Sequence, residues 1–231
     1  MWQPDYATIQ ELKHFQNNAY DADTDPHDQA VDLEYQLAIT AASRSIDRAS
    51  NRQFGTIRLA GSSGSSTTPE ARIYTAVKNN KNGRIMVSVD DVYDATDMTV
   101  FVDWTHDQTF TTPITFFRMY PFNALANGRP YTHLVCNTVL SGNYASLYAP
   151  TVVPLGEGAV QVTSAYWGWS AVPPTIHLAC LLQASRLHMR RNAPFGISGS
   201  PQEQGELRLL AKLDPDVAVM VGDFLRMWTI A

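Results

Sequence analysis

Residues 160–196 read VQVTSAYWGWSAVPPTIHLACLLQASRLHMRRNAPFG. The segment Val160–Ser164 alternates between two sides, which is typical of a half-buried strand. Two tryptophans around a glycine follow, and then two prolines; the residue before a proline is pushed out of the α region. We therefore predict a structural corner between a sheet and a helical region, formed by Trp167, Gly168, Trp169, Pro173 and Pro174.

After this corner, Thr175–Arg191 has the apolar spacing of a helix. Pro174 suits the first helical turn, and Arg190 and Arg191 stand at the end where the helix dipole favours cations. Its two apolar stripes are Ile176, Cys180, Ala184 and Leu187, and Leu178, Leu182, Ser185 and Met189. Because a helix that is apolar on two faces is normally buried, the pattern predicts a central, buried helix.

Helical patterns also occupy both ends of the chain. The predicted helices are Ile9–Phe15, Asp28–Asn51, Glu203–Leu213 and Asp216–Trp228. Asp214 is expected to be the N-cap of the last helix, with Pro215 at its first helical position. Since the last three of these helices flank the central one in sequence, we predict that they form one helical bundle with it.

Between Arg72 and Val162 the pattern changes to short alternating runs, which predict antiparallel strands. The runs cover 73–77, 85–89, 99–104, 110–119 and 131–140. The Gly/Ser-rich tract 61–69 is expected to be a loop. The predicted fold class is therefore α+β, a helical bundle from the N- and C-terminal parts with an inserted antiparallel β subdomain. The predicted domains are 1–55 with 170–231 for the bundle, and 56–169 for the insertion.

The composition of the chain limits the classes of function that it can have. The chain has 231 residues, of which 17% are charged, and a formal net charge of -5, whereas a protein that wraps nucleic acid is normally basic. No basic-then-apolar leader opens the sequence, and no apolar run approaches the roughly 18 residues of a membrane span. We therefore expect no membrane partner. Cys136 and Cys180 match neither a metal motif nor a disulfide framework, so we expect both to be reduced and structural.

The patterns for catalysis and metal binding are weak. Aspartates alternate over Asp21–Asp28 as at the start of a calcium loop, but Pro26 stands where that loop needs glycine. None of the six histidines has a metal-ligand companion at the usual spacing. Asp90 and Asp91 are adjacent in one strand and so point opposite ways, which does not suit a catalytic pair. We expect no catalytic residue, no metal and no cofactor, and a structural protein rather than an enzyme.

Three passages carry a resemblance to a protein family. The first is Leu33–Phe54, LEYQLAITAASRSIDRASNRQF, with an Ala-Ala-Ser-x-x-Ile-Asp core before an Arg-x-Phe end. The second runs from Trp167 through the double proline to Arg191, and the third is Leu213–Val217, LDPDV. In this order they resemble the head-tail connector, or adaptor, proteins of long-tailed bacteriophages.

The resemblance implies a structural virion protein of the neck, present in the host cytoplasm during assembly. Such proteins form a ring, typically of twelve copies, beneath the portal protein of a DNA-filled head. The ring extends the DNA channel for genome ejection, without sequence-specific binding of DNA, and docks the stopper or tail terminator protein. Related rings often meet the portal through C-terminal segments. We therefore expect a surface for the portal or a neighbouring subunit at Met220, Phe224, Leu225, Met227 and Trp228.

Two other functions stay open at this point. One is another ring protein of the neck or tail, a stopper or tail terminator; those proteins are mainly β, and the helical patterns at both ends count against them. The other is a carbohydrate-binding β domain, in which Trp104, Trp167 and Trp169 would stack on sugars. Burial of these rings in a protein core is the simpler interpretation.

Overall fold

The computed structural model describes residues 4–17, 26–56, 69–79, 84–114, 117–136, 153–164, 166–190, 197–198, 207–208 and 213–226. They fall into two compact units. The described parts of Pro4–Phe54 and Val172–Met227 form the helical unit, and those of Gly55–Ala171 form the β unit. Helices together with an antiparallel sheet confirm the predicted α+β class. The division into domains at 1–55, 56–169 and 170–231 stays a prediction.

The helical unit contains four described helices. They are α1 (Ile9–Phe15), α2 (Pro26–Ser50), α3 (Pro174–Arg190) and α4 (Pro215–Gly222). A capping box between Thr8 and Glu11 begins α1, and α2 and α3 each begin with a proline, whose fixed φ suits the first turn. The two long helices pack on each other, as predicted, and α1 and α4 each contact both of them.

The contact between α2 and α3 uses one face of each helix. On α2 the buried face is formed by Tyr35, Ile39, Ala42 and Ile46, which recur every three or four residues, as one face of a helix does. On α3 it is the first predicted stripe, of which Ile176, Cys180 and Ala184 are buried. Polar and aromatic groups join the same contact: the Ser43 hydroxyl lies 3.5 Å from the Cys180 sulfur, and the ring of His188 stacks on that of Tyr35.

The prediction that α3 is buried on two faces is wrong. Its second stripe points outward, with Leu178 41% and Met189 69% exposed and Leu182 and Ser185 half-buried. Gln16 at the end of α1 donates to the Ser185 hydroxyl at 3.0 Å, so Leu178 and Met189 are the members of this stripe that stay exposed. An apolar stripe shows which side chains could be buried. The number of neighbouring helices decides how many of the stripes are in fact buried.

Two predictions for the C-terminal region also need correction. Within the predicted helix Glu203–Leu213, residues Leu207–Arg208 form strand β9, which pairs with β8 (Ile197–Ser198). Gly205 inside that helix would cost about 1 kcal/mol relative to alanine, so strand pairing with a segment nearby in the sequence competes with the helix. The helix predicted for Asp216–Trp228 ends at Gly222. The predicted N-cap, Asp214, is confirmed: its Oδ1 accepts a hydrogen bond from the Asp216 N–H.

The β unit is built on an antiparallel sheet of seven strands. The strands are β1 (Glu70–Lys78), β2 (Ile85–Val92), β3 (Thr99–Val102), β4 (Thr112–Pro113), β5 (Phe117–Tyr120), β6 (Tyr131–Cys136) and β7 (Gly156–Ser164), in the order β4-β3-β7-β1-β2-β6-β5. The predicted alternation of Val160–Ser164 is confirmed, since Val160, Val162 and Ser164 are buried and the residues between them are half-buried. Buried side chains of β1, β2, β3, β6 and β7 form the apolar core of the unit.

One predicted strand is two strands. The run 110–119 contains β4, which pairs with β3, and β5, which pairs with β6 at the other end of the strand order. Pro113 has no N–H to give to a ladder, so it lies in the end strand β4 rather than inside a continuous central strand. The Gly/Ser-rich tract 61–69 lies outside the described residues except for Pro69.

Candidate assembly surfaces

The start of α4 is fixed by contacts with α3. The Asp214 N–H donates to the Gln183 side-chain carbonyl at 3.1 Å, and the Asp214 carboxylate accepts from the Arg186 guanidinium at 2.8 Å. Val217 and Val221 are buried beneath the helix. The helix therefore presents its other face in a defined orientation to the outside of the helical unit.

The residues predicted to bind a partner do not share one environment. Met220 is half-buried, and the half-buried ring of Phe224 lies edge-on to Phe54 at a centroid distance of 5.5 Å, so Phe224 serves the core of the helical unit. Leu225 is 49% exposed and could contact a partner. Met227 and Trp228 lie outside the described residues. The sequence did not single out Val219, which is the most exposed large apolar side chain of α4.

The predicted corner residues belong to both units. Trp167 and Trp169 are buried in the β unit, where the Trp167 indole donates to the Glu70 carbonyl at 3.1 Å. Gly168 has a φ of 93°, a conformation that side chains rarely adopt, which explains a glycine between the two tryptophans. Pro173 and Pro174 belong to the helical unit, and Pro174 begins α3. A bracing role between the units stays a prediction.

The adjacent carboxylates of β2 point to opposite sides, as predicted. Asp90 Oδ2 accepts hydrogen bonds from the Arg72 guanidinium at 2.7 Å and the Tyr74 hydroxyl at 2.9 Å. Asp91 Oδ2 accepts from the Trp169 indole at 2.9 Å. Each carboxylate therefore holds a neighbouring side chain in place, and the two do not converge on one point as the acid and base of a glycosidase would.

A third carboxylate, Asp103, organises a loop after β3. It accepts hydrogen bonds from the backbone N–H groups of Thr105, His106 and Gln108 at 2.9, 2.9 and 2.6 Å. Burial alone would raise the pKa of Asp103, but these hydrogen bonds stabilise the carboxylate and hold its pKa below the usual value. Trp104 on this loop is exposed, whereas Trp167 and Trp169 are buried and cannot stack on a sugar.

Among the residues that the structure describes there is no candidate metal site and no reactive thiol. No cluster of three or more His, Cys, Asp or Glu side chains there could hold a metal ion. Both cysteines are buried and free; burial raises the pKa of Cys180 to about 11 and that of Cys136 to about 12, so neither is a thiolate at neutral pH. None of the described helices is long and apolar enough to cross a membrane.

Both long helices carry apolar side chains that point outward, which the sequence patterns did not predict. On α2, Leu33 and Leu37 are each 61% exposed. Their spacing of four residues, on the side opposite the Ile39 face, is the signal that could have found them. On α3 the outward residues were recognised as a stripe but were expected to be buried.

The chain was compared with known proteins. No protein-family model matches it, and no curated protein does. One solved structure, the neck of an empty GTA particle computed with C6 symmetry, has a similar chain with 15% sequence identity and a TM-score of 0.47. The alignment covers 100% of this chain and 98% of that one. At this identity and TM-score the likeness carries no argument about function.

Proposed function

We propose that this chain is a structural protein of a virion neck, a head-to-tail adaptor that forms a ring beneath the portal. The observation that carries the proposal is the location of the outward apolar side chains. Leu33 and Leu37 lie in the first passage that resembles adaptors, and Leu178 and Met189 lie in the second. Apolar side chains held outward on rigid helices favour protein contacts, because exposed apolar area is released from water when a partner binds.

A role in assembly also agrees with how the polar groups of the chain are used. The carboxylates Asp90, Asp91 and Asp103 are engaged in local hydrogen bonds, and the two thiols are buried. Such groups are occupied in holding the fold, so we propose that the protein acts through its contacts and has no enzymatic activity.

The charge of the chain suits a channel through which DNA passes. Each phosphate contact made by a lysine or arginine adds to DNA affinity, so a strongly basic channel would retain the DNA. The formal net charge here is -5. We propose that DNA passes through the ring without sequence-specific binding, and that the ring docks a stopper or tail terminator on its far side.

The direct test uses portal-bearing, DNA-filled heads that lack this chain. After incubation with the purified protein, negative-stain images should show an added ring at the portal vertex, and the heads should then accept the next neck or tail component. If the protein leaves the portal vertex bare but binds to heads that already carry an adaptor, the chain is instead a stopper or tail terminator. Binding to neither would remove the neck function.

A truncation after Arg226 tests the expected portal surface at the C-terminus. The removed segment contains Met227 and Trp228. Phe224 stays in place on Phe54, and the Arg226 N–H still donates to the Ser50 carbonyl at 2.9 Å, so the helical unit should fold. We expect an unchanged circular dichroism spectrum but poor assembly onto heads.

The matched control for this truncation is the full-length variant Asp223→Asn, which changes an exposed polar side chain directly after α4, outside the predicted set, and should assemble normally. A folded truncation that assembles normally would contradict the docking role. Loss of folding would instead assign the segment to the core.

A further inference from the structure

A group of exposed apolar and basic side chains lies on the end strand β5 and on the connection from β5 to β6. In β5, Phe117 and Met119 pack against the core, so Arg118 and Tyr120 point to the opposite side of the strand. The rings of Tyr120 and Phe122 meet edge to face at a centroid distance of 4.6 Å. We call this group the β5 surface; it consists of Arg118, Tyr120, Phe122, Leu125 and Arg129, all exposed.

Backbone hydrogen bonds hold the connection from β5 to β6 in one conformation. The Ala124 N–H donates to the Pro121 carbonyl at 3.1 Å, and the Arg129 N–H donates to the Ala124 carbonyl at 2.9 Å. The Ala124 side chain is buried, which anchors the connection on the β unit. The β5 surface is therefore preorganised, and a preorganised surface loses less conformational entropy when a partner binds.

The composition of the β5 surface is that of a protein interface. Interface cores are enriched in aromatic residues and arginine and depleted of Asp, Glu and Lys. The sequence contains no Asp or Glu between Asp107 and Glu157, the interval in which Arg118 and Arg129 lie. Neither arginine forms an ion pair with a residue that the structure describes. The β5 surface therefore favours a partner surface that is both apolar and acidic.

An apolar and acidic surface is present in the same unit, where the loop after β3 lies on the start of β7. The His106 ring lies against Gly156, so closely that a Cβ added to this glycine would come within 3.2 Å of His106 Cε1. This contact brings the loop to the residues on either side of Gly156. We call the result the β7 surface; it consists of Trp104, Asp107, Leu155 and Glu157, all exposed. Within the described ranges, neither of its carboxylates forms an ion pair.

The β5 and β7 surfaces lie on separate parts of one sheet, because β1, β2 and β6 stand between β7 and β5 in the strand order. One copy of the β unit thus carries two different surfaces of opposite charge, each with exposed apolar side chains. A heterologous contact that closes into a ring requires two different surfaces on each subunit, whereas a two-fold dimer requires only one.

We propose that the β5 surface of one copy binds the β7 surface of the next copy, head to tail. The arginines of the first surface face the carboxylates of the second, and the Tyr120–Phe122 pair packs on Trp104 and Leu155. Complementary charge fixes the orientation of such a contact and disfavours two copies that meet through the same surface. The inference rests on the proposed ring and names the contact between its subunits.

Disulfide cross-linking tests this contact. Phe122→Cys/Leu155→Cys places one cysteine in each surface, and the two native cysteines are buried and give little background. Under mild oxidation the variant should form a ladder of multimers of the 25.6 kDa chain. Docked thiols have a high effective concentration, so the ladder should form at least about tenfold faster than in the control Phe122→Cys/Leu33→Cys, whose second site is an exposed leucine of α2. A ladder no faster than the control would overturn the inference.

The single variants separate a head-to-tail contact from a two-fold one. Phe122→Cys and Leu155→Cys should each stay monomeric alone, and their mixture should stop at cross-linked dimers, because only one compatible pair of cysteines then exists. If Phe122→Cys alone forms dimers as fast as the mixture does, the contact is two-fold and the inference is wrong.

Charge reversal tests the pairing of arginines with carboxylates. Arg129→Glu, added to the cysteine pair, should slow the ladder about tenfold, because like charges then face each other. Glu157→Arg, added in turn, should restore part of the rate. Arg48→Glu is the matched control, since it makes the same change in net charge at an exposed arginine of α2 and should leave the rate unchanged. Equal rates for Arg129→Glu and Arg48→Glu would contradict the inference.

Duplex DNA is the other partner that exposed arginines could bind, through its phosphates. We expect the wild type to leave a DNA duplex unshifted in gel electrophoresis, because the β5 surface is matched to an apolar, acidic protein surface. A shift that Arg129→Glu abolishes and Arg48→Glu retains would assign the β5 surface to DNA and overturn the subunit contact.

The heads described above separate a failure of this contact from a failure of the neck function. Rings of the wild type on heads, without a ladder from the cysteine pair, remove this subunit contact and leave the neck function. A ladder without any effect on heads supports the subunit contact and removes the neck function. The same heads should show fewer rings with Arg129→Glu, whereas Arg48→Glu should assemble like the wild type.

Discussion

The two units are held together by different means. The β unit has one continuous apolar cluster, in which side chains from the central strands meet the fully buried Trp167. The helical unit has an apolar contact between α2 and α3, and it also joins segments distant in sequence through polar groups that are buried or half-buried. Lys13 pairs with Asp32, the Tyr6 N–H donates to Ser43 Oγ at 3.1 Å, and Gln183 accepts from Asp214. We therefore expect the β unit to be sensitive to lost volume, and the helical unit to be sensitive to lost hydrogen bonds and to pH.

The largest effect is expected for Trp167→Ala in the β unit. The substitution empties a fully buried site and removes the ring on which the Arg72 guanidinium stacks at 4.4 Å. The free energy of unfolding should fall by about 3–5 kcal/mol, measured by chemical denaturation. Trp169→Ala should behave similarly. Trp104→Ala is the matched control, since this ring is exposed; equal losses for Trp104 and Trp167 would contradict the account of the core.

A smaller loss is expected for Tyr6→Phe in the helical unit. The Tyr6 hydroxyl donates to Asp47 and accepts from the Phe54 N–H at 2.8 Å. The variant keeps the ring but leaves a buried N–H without this acceptor, which should cost about 1–3 kcal/mol. Tyr120→Phe is the control, because Tyr120 is an exposed residue of the β unit. If Tyr6→Phe loses no more stability than Tyr120→Phe, the hydrogen bonds of the Tyr6 hydroxyl do not stabilise the helical unit.

The pH dependence of the helical unit should change in Asp47→Asn. Burial raises the pKa of Asp47 to about 6, against the hydrogen bond from Tyr6 and the nearby Arg44, which lower it. Between about pH 4 and pH 6 the folded state therefore binds this proton and the unfolded state does not. The contribution of Asp47 to stability thus falls as pH rises through this range.

The measurement for Asp47 is the difference between wild type and Asp47→Asn. The wild type should lose stability relative to the variant from pH 4 to pH 7, in denaturation curves recorded at each pH. A constant difference over this range would show that Asp47 titrates like an exposed carboxyl. The β unit should not contribute, since the substitution lies outside it.

The smallest effect is expected for calcium. Of the acidic segment Asp21–Asp32, the described part begins at Pro26, where α2 starts, and Asp32 pairs with Lys13. Millimolar calcium should leave the melting temperature unchanged. A clear rise would show binding to the folded state, by linkage.

The sequence predicted elements whose signals are local. The Asp214 cap and the alternation of Val160–Ser164 each depend on a few neighbouring residues, and each appears as expected. The opposite directions of Asp90 and Asp91 follow from the pleat of one strand. The expected partner surface stays a prediction; within it Phe224 is half-buried and the adjacent Leu225 is exposed.

By itself the sequence determined the α+β class, the positions of the long helices and the face of α2 that is buried, because periodicity encodes which side of an element is apolar. Only the tertiary structure decided which apolar stripe of α3 finds a partner, that Leu33 and Leu37 point outward, and that Leu207–Arg208 pairs as a strand. Each of these outcomes depends on which other segments of the chain lie next to the element. Periodicity describes one element at a time, whereas burial is a property of several elements packed together.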